Sequence, residues 1–352
     1  MLNLIERFIT SALIATSVLF VNSCAVNDAG IKSSTNEVNP SSVETAPASQ
    51  YSWTKVTDSA AFPGAYNFPV FVVRNQMWAF HPQGNWFSTD GKTWIKSGLP
   101  LAGLNSGYQK YVQLGDAVYA LGTMTGDYTN MRLSSRIVKT VDFNRWETVA
   151  EESELPNRVF YGTAVFGGKI WLLGGYDGKN YYNDVWNSSD AVHWTRIAEH
   201  AAWSPRRFGN VAVFNDRLWV IGGGVIDGEP TNNPKSDREV WSSVNGSEWT
   251  LVTDKAQLKG GTPIVFDGRL WLVGANRDGN FARSSLVTND GSQWREESAP
   301  WSPRGAVAAW IFDNKLYITG GKYSVTENGQ IRFIYSNDVW YMTAPQTTAL
   351  LH

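Results

Sequence analysis

One short pattern recurs along this chain and leaves few folds open to it. Its clearest copies are Gly168-Lys169-Ile170-Trp171-Leu172-Leu173-Gly174-Gly175 and Asp216-Arg217-Leu218-Trp219-Val220-Ile221-Gly222-Gly223. Gly268-Arg269-Leu270-Trp271-Leu272-Val273-Gly274 and Asn314-Lys315-Leu316-Tyr317-Ile318-Thr319-Gly320-Gly321 repeat it, and weaker copies centre on Trp78 and Tyr119. A second series ends each unit: Trp94, Trp146, Trp194, Trp249 and Trp294, with Trp53 ahead of the first. The step from each of these to the next central aromatic is 25, 25, 25, 25, 22 and 23 residues. A third series lies eight residues before the terminal tryptophan: Trp86, Val138, Trp186, Trp241 and Leu286. Trp340 joins it through Asn337-Asp338-Val339-Trp340, which echoes Asn183-Asp184-Val185-Trp186. A fixed period of this length is the mark of a repeat architecture.

Only the stretch from central aromatic to terminal tryptophan varies, at 16, 27, 23, 30 and 23 residues. Its last eight residues keep register, so the variation sits in one loop per unit. Each unit therefore reads as four short strands, a to d, with tight a–b and c–d turns and a variable b–c loop. The nearly continuous apolar run Ile170-Trp171-Leu172-Leu173 suits a strand buried between stacked sheets.

The pattern resembles the Kelch-repeat family, over residues 51 to about 343. The marks are the double glycines 174–175, 222–223 and 320–321, the aromatic three residues before each pair, and the terminal tryptophan. Units one, two and five lack the full double glycine. The resemblance implies an all-β fold, a six-bladed β-propeller. The last unit ends after Trp340 without a terminal-tryptophan strand, and Tyr51-Ser52-Trp53-Thr54-Lys55-Val56 supplies it from the N-terminal side. A last blade closed in this way removes two sheet edges at once. The three series absorb 14 of the 17 tryptophans, which are expected to pack blade against blade. Ser-Thr-Asp-Gly before Trp94 and Thr-Asn-Asp-Gly before Trp294 look like the Asp-box of sialidases, one residue short, and read as c–d turns.

The N-terminal residues are read apart from the fold. Glu6 and Arg7 precede an apolar run from Phe8 to Val21, which has the length of a secretory signal core and is short for a membrane span. It runs into Val21-Asn22-Ser23-Cys24, which resembles a bacterial lipobox, so residues 1–23 read as a signal peptide and Cys24 as the lipidated residue. The other reading is an ordinary signal peptide with a stray cysteine. Ala25 follows Cys24, and in the Gram-negative lipoproteins of this resemblance a residue other than Asp there implies the outer membrane. Residues 24–50, rich in Ser, Asn, Thr, Ala and Pro, read as a flexible tether, and 344–352 as a tail. The expected localisation is exported and lipid-anchored, facing the periplasm or the cell surface.

With 30 Lys plus Arg against 32 Asp plus Glu, the net charge of −2 argues against a general nucleic-acid binder. One cysteine rules out an intrachain disulfide framework or a cysteine-built zinc site. His81, His193, His200 and His352 are too scattered for a metal cluster, and no phosphate loop or dinucleotide fingerprint occurs, so no cofactor or metal is expected. Galactose oxidase, which shares the Kelch propeller, needs a Tyr–Cys crosslink, and Cys24 lies outside the repeats.

In an antiparallel blade the b–c and d–a connections share one face, and all large length variation falls there, so recognition is expected there. Arg158, Arg206 and Arg304 each lie 13 residues before a central aromatic and enter strand a in one register. They are expected to point at the channel mouth, short of packing partners, and to fork onto a ligand carboxylate or carbonyl. The competing reading is that each arginine ties a loop to its neighbour. The other units offer Ala65, Ser106 and Leu258, with Tyr66, Asn67, Tyr108 and Lys110 nearby. Tyr66, Tyr108, Tyr176, Phe281 and Tyr323 complete the candidate ligand-binding set, as rings suited to a sugar or peptide; their other reading is packing between loops.

Two functions stay open. The first is a monomeric, non-catalytic lipoprotein that binds a glycan or protein at the variable face and meets the membrane through Cys24. The second follows from likeness to the Kelch-type N-acetylneuraminate epimerase: a sugar epimerase or mutarotase acting on a sialic-acid-like substrate. It would need a proton-carrying group on the same face, for which Asp177, Asp227 and Glu229 are candidates.

Overall fold

The computed structural model describes residues 51–98, 109–126, 130–207, 210–223, 236–258, 260–277 and 280–345. The described residues form strands and turns, and no helix among them is long and apolar enough to cross a membrane. The first strand is β1 (Ser52–Thr57). Blade 1 is β2 to β5 (Val70–Val73, Gln76–His81, Gly84–Ser88, Ile95–Gly98). Blade 2 is β6 to β9 (Lys110–Leu114, Ala117–Thr125, Arg132–Thr140, Glu147–Ala150). Blade 3 is β10 to β13 (Gly162–Phe166, Lys169–Tyr176, Tyr181–Ser188, Thr195–Ala198). Blade 4 is β14 to β17 (Asn210–Phe214, Arg217–Ile221, Val240–Ser243, Thr250–Thr253). Blade 5 is β18 to β21 (Thr262–Phe266, Arg269–Arg277, Asn280–Thr288, Arg295–Ser298). Blade 6 begins with β22 (Ala308–Phe312) and β23 (Lys315–Thr319), then leaves the sheet for a hairpin, β24 (Lys322–Glu327) and β25 (Gln330–Tyr335). It resumes with β26 (Val339–Thr343) and is completed by β1, in the order β22-β23-β26-β1. The molecule is a six-bladed β-propeller closed by the strand around Trp53.

Local chemistry explains the hairpins. In five of the six a–b turns both central residues are left-handed, as at Asn215 (φ 48°) and Asp216 (φ 54°) or Asp313 (φ 48°) and Asn314 (φ 54°). Two-residue turns of this hand match the twist of the strands they join. The c–d turns are built from side chains. Ser88 Oγ accepts from the amides of Asp90 and Gly91, the Asp90 carboxylate accepts from those of Lys92 and Thr93, and Trp94 Nε1 donates to the Gly91 carbonyl at 2.9 Å. The same bonds recur at Ser188, Asp190 and Trp194, and at Thr288, Asp290 and Trp294. The Asp-box-like segments are hairpin turns.

These turns also join the blades. Each seats on the central aromatic of the blade before it. Phe143 lies 4.7 Å from Trp78, and Gly246 presses so closely on Trp171 that a β-carbon there would stand 2.2 Å from the indole. Gly291 meets Trp219 in the same way, and Gly91 meets Tyr317. Blade 6 has no c–d turn, because its outer strand comes from the other end of the domain. Tyr51 takes the place of the missing turn, edge-on to Trp271 at 4.8 Å. The tryptophans outside the three series pack as well: Trp203 meets Trp249, Trp301 meets Trp53 at 4.1 Å, and Trp310 stacks on Tyr317.

Candidate functional site

The three arginines occupy one register, and each is 1–8% exposed. The expectation that they lack tight partners is corrected by the geometry. Arg158 forks onto Asp184 at 2.5 and 3.1 Å, and Arg304 forks onto Asp338 at 2.5 and 3.0 Å. Arg206 meets Glu239 at 2.5 Å and donates to the Ser204 and Ser236 carbonyls. Each guanidinium also donates to the carbonyl of the first glycine of a double glycine: Gly174, Gly222 or Gly320. The tryptophan two residues after each carboxylate, Trp186, Trp241 or Trp340, donates its Nε1–H to the same carboxylate. Burial opposes the charge on Asp338, but the hydrogen bonds and charge of Arg304 outweigh it and hold the carboxyl below its usual range. Burial pulls the Arg206 pKa down from its usual value, against the opposing pull of Glu239. The guanidinium groups thus serve ion pairs inside blades 3, 4 and 6, bidentate in blades 3 and 6.

The signal for this was in the repeats themselves. Arginine, carboxylate and double glycine occur together in blades 3, 4 and 6. Blades 1, 2 and 5 have Ala65 with Gly84, Ser106 with Arg136, and Leu258 with Ser284, and lack the glycine pair. The residue before two of the carboxylates is also used. Asn183 Nδ2 donates to the Ala201 and Trp203 carbonyls, and Asn337 Nδ2 to those of Ala60 and Phe62. The echo between Asn183-Asp184 and Asn337-Asp338 is a pair of ties, one to the blade's own arginine and one to the next d–a loop.

The second of those ties builds a part of the variable face that brings polar and aromatic groups together. It holds the loop from β1 to β2 against the root of the β24–β25 hairpin. Gly321 N donates to the Ala65 carbonyl at 2.9 Å, and a β-carbon at Gly64 would stand 2.3 Å from the Tyr335 carbonyl oxygen, so only glycine allows that approach. Tyr66 is thereby stacked on Tyr335 at 5.7 Å, and Lys322 Nζ lies 4.3 Å from the centre of the Tyr66 ring and 4.8 Å from that of Phe333. No carboxylate among the described residues pairs with Lys322, and burial lowers its pKa from the ordinary lysine value. The hairpin itself is marked in the sequence by Asn328-Gly329 between alternating residues, a turn signal that sits inside the variable b–c stretch.

The other candidates fall in separate places. Tyr176 stacks on Tyr181 at 4.7 Å, its hydroxyl donating to the Gly178 carbonyl, in a small cluster with Met124, Val159 and Phe160. Phe281 on β20 and Tyr323 on β24, both partly buried, make no ring contact with either cluster among the described residues. Tyr108 and Cys24 lie outside the described residues. The opposite face has a recess of about 340 Å³ beside Arg269, Trp294 and Arg295. Its arginines are engaged, Arg269 with Asp267 and Asn289 and Arg295 with Glu297.

Residues 157–187, which span the Arg158–Asp184 clamp, match the family model described as the Kelch motif. With the six four-stranded sheets, the molecule is a six-bladed β-propeller that carries a Kelch motif in blade 3. Among solved structures it is similar to one described as "Structure of YjhT", at a TM-score of 0.62 and 13% identity, covering 82% of this chain and 97% of that one. No curated protein matches the sequence.

Proposed function

We propose that this chain is an exported propeller, held at a membrane through a lipid on Cys24, that binds a carbohydrate at its b–c and d–a face. The observation that carries this reading is the added hairpin of blade 6, β24–β25. It stands outside the six sheets, beside the Tyr66 loop, and exposes 45% of Tyr335 and 61% of Ile331. Apolar rings beside an ammonium with no carboxylate partner among the described residues, on a feature the sheets do not require, suit an amphipathic ligand such as a glycan. The arginine register supports the scaffold beneath.

The alternative, a sugar epimerase, needs a carboxylate able to exchange protons. Asp177 is a poor candidate. Burial opposes its charge, yet Tyr182 Oη–H at 2.5 Å and the amides of Asn180 and Lys179 hold its pKa below the usual range. Asp227 and Glu229 lie outside the described residues. The test is a glycan array, followed by titration of the best glycan against the intact chain and Tyr335→Ala, alongside anomer exchange on sialic acid. Binding that depends on Tyr335 without exchange is the expected result. Exchange at an enzymatic rate, or an array with no glycan bound, would overturn it.

A further inference from the structure

The hairpin of blade 6 has two unlike rows on one face. Directly paired residues of an antiparallel hairpin share a face. The pairs Lys322 with Tyr335, Ser324 with Phe333 and Thr326 with Ile331 therefore lie together. On β25 the row is apolar: Ile331, Phe333, Tyr335. On β24 it is polar: Lys322, Ser324, Thr326. The apolar row covers four residue steps, about 13 Å of extended strand, which is longer than a single pyranose ring. The hydroxyls of Ser324 and Thr326 have no hydrogen-bond partner among the described residues, and Lys322 has rings but no carboxylate.

Pyranose rings have apolar C–H faces and polar edges. A chain of them lying along the hairpin would set those faces on Phe333 and Tyr335 and turn its edges to Ser324 and Thr326. The ammonium of Lys322 then asks for a negative charge on the sugar. Its setting is partly desolvated, so one added carboxylate gains more there than it would on an open surface. The platform is an open flank, which favours internal units of a polymer over a single enclosed sugar.

We propose that the β24–β25 face binds a carboxylated polysaccharide, a polyuronate chain, with Lys322 taking a uronate carboxylate and the Phe333–Tyr335 row taking sugar rings. This deepens the carbohydrate reading above and rests on it. The chain's net charge of −2 gives it no general attraction to polyanions, so a match has to be local.

Affinity electrophoresis of the intact chain tests this, in gels containing polygalacturonate, neutral galactan or dextran sulfate. Retardation by polygalacturonate alone is expected. It should fall at least tenfold in Tyr335→Ala and in Lys322→Met, with both melting temperatures unchanged. Lys322→Arg should keep most of it. If neutral galactan retards the protein equally and Tyr335→Ala abolishes this, the uronate inference fails while the carbohydrate reading stands. Retardation by dextran sulfate that survives Lys322→Met would show charge binding elsewhere and overturn the inference. Absence of retardation by all three, with no glycan bound on the array, ends both. If Lys322→Met does not fold, polygalacturonate-induced shifts of the lysine ammonium signals in the unmodified protein decide.

Discussion

Arg206 shows how a side chain chosen for recognition can belong to the scaffold. Its guanidinium is 2% exposed and reaches Glu239, Ser204, Ser236 and Gly222. Arg206→Ala would leave Glu239 charged and half of its bonds unmade, and should cost about 3–5 kcal/mol in urea denaturation. Replacing both partners, Arg206→Met with Glu239→Leu, should recover most of that loss. The register of the arginines was legible in the sequence. Their carboxylate partners were not, because each lies 26–34 residues away, a distance that only the repeat alignment bridges. His81 gives a second test at this scale. It packs between Phe62 and Phe68, its Nε2–H donates to the Pro63 carbonyl, and its Nδ1 accepts from the Gln83 amide. Burial pushes its pKa from 6.5 down to about 4, with the charge of Lys96 adding to this and the Pro63 bond opposing it. The unfolded chain therefore takes up the proton first. The stability contributed is present above pH 6.5 and is lost as pH falls towards 4. The loss should be on the order of 2–3 kcal/mol, and His81→Gln should flatten it.

At the scale of the element, the c–d turn joins local chemistry to assembly. Gly246 has a φ of 76° and lies against Trp171, while Gly268 has a φ of 65° and nothing within 4 Å of a built β-carbon. Gly268→Ala meets only the left-handed penalty, about 1–2 kcal/mol. Gly246→Ala adds overpacking against the indole, about 1–3 kcal/mol more. Thermal melts of the two variants should separate accordingly; equal melting temperatures would contradict the turn's role as a cap. The existence of these turns was readable from Ser, Asp and Trp at a constant spacing. Their seat on the preceding blade was not, because it joins residues such as Gly246 and Trp171 through the ring. The β24–β25 hairpin is the converse case: Asn328-Gly329 marked it locally, but the unit template absorbed it as loop length.

The whole molecule depends on the meeting of its two ends. β1 pairs with β26 from Ser52 opposite Thr343 to Thr57 opposite Val339, and Tyr51 closes the last interblade contact on Trp271. Removing residues 51–58 should abolish the cooperative melt, since blade 6 then exposes an edge and Trp271 and Trp301 lose their covers. Trp53→Ala, at a partly buried position, should cost about 2–3 kcal/mol. Closure was legible from a missing final tryptophan and a surplus first one, because a ring of repeats makes such a deficit countable. The face proposed for the ligand is marked in the sequence only as the side where lengths vary; which of its side chains the scaffold needs depends on contacts between blades. We propose that scaffold and recognition are carried by different residues. The direct test is to measure melting temperature and glycan affinity together on Arg206→Met and Tyr335→Ala. Arg206→Met should melt lower and, while folded, bind normally, and Tyr335→Ala should melt normally and lose binding. A binding loss at Arg206 with no change in melting, or intact binding in Tyr335→Ala, would contradict it.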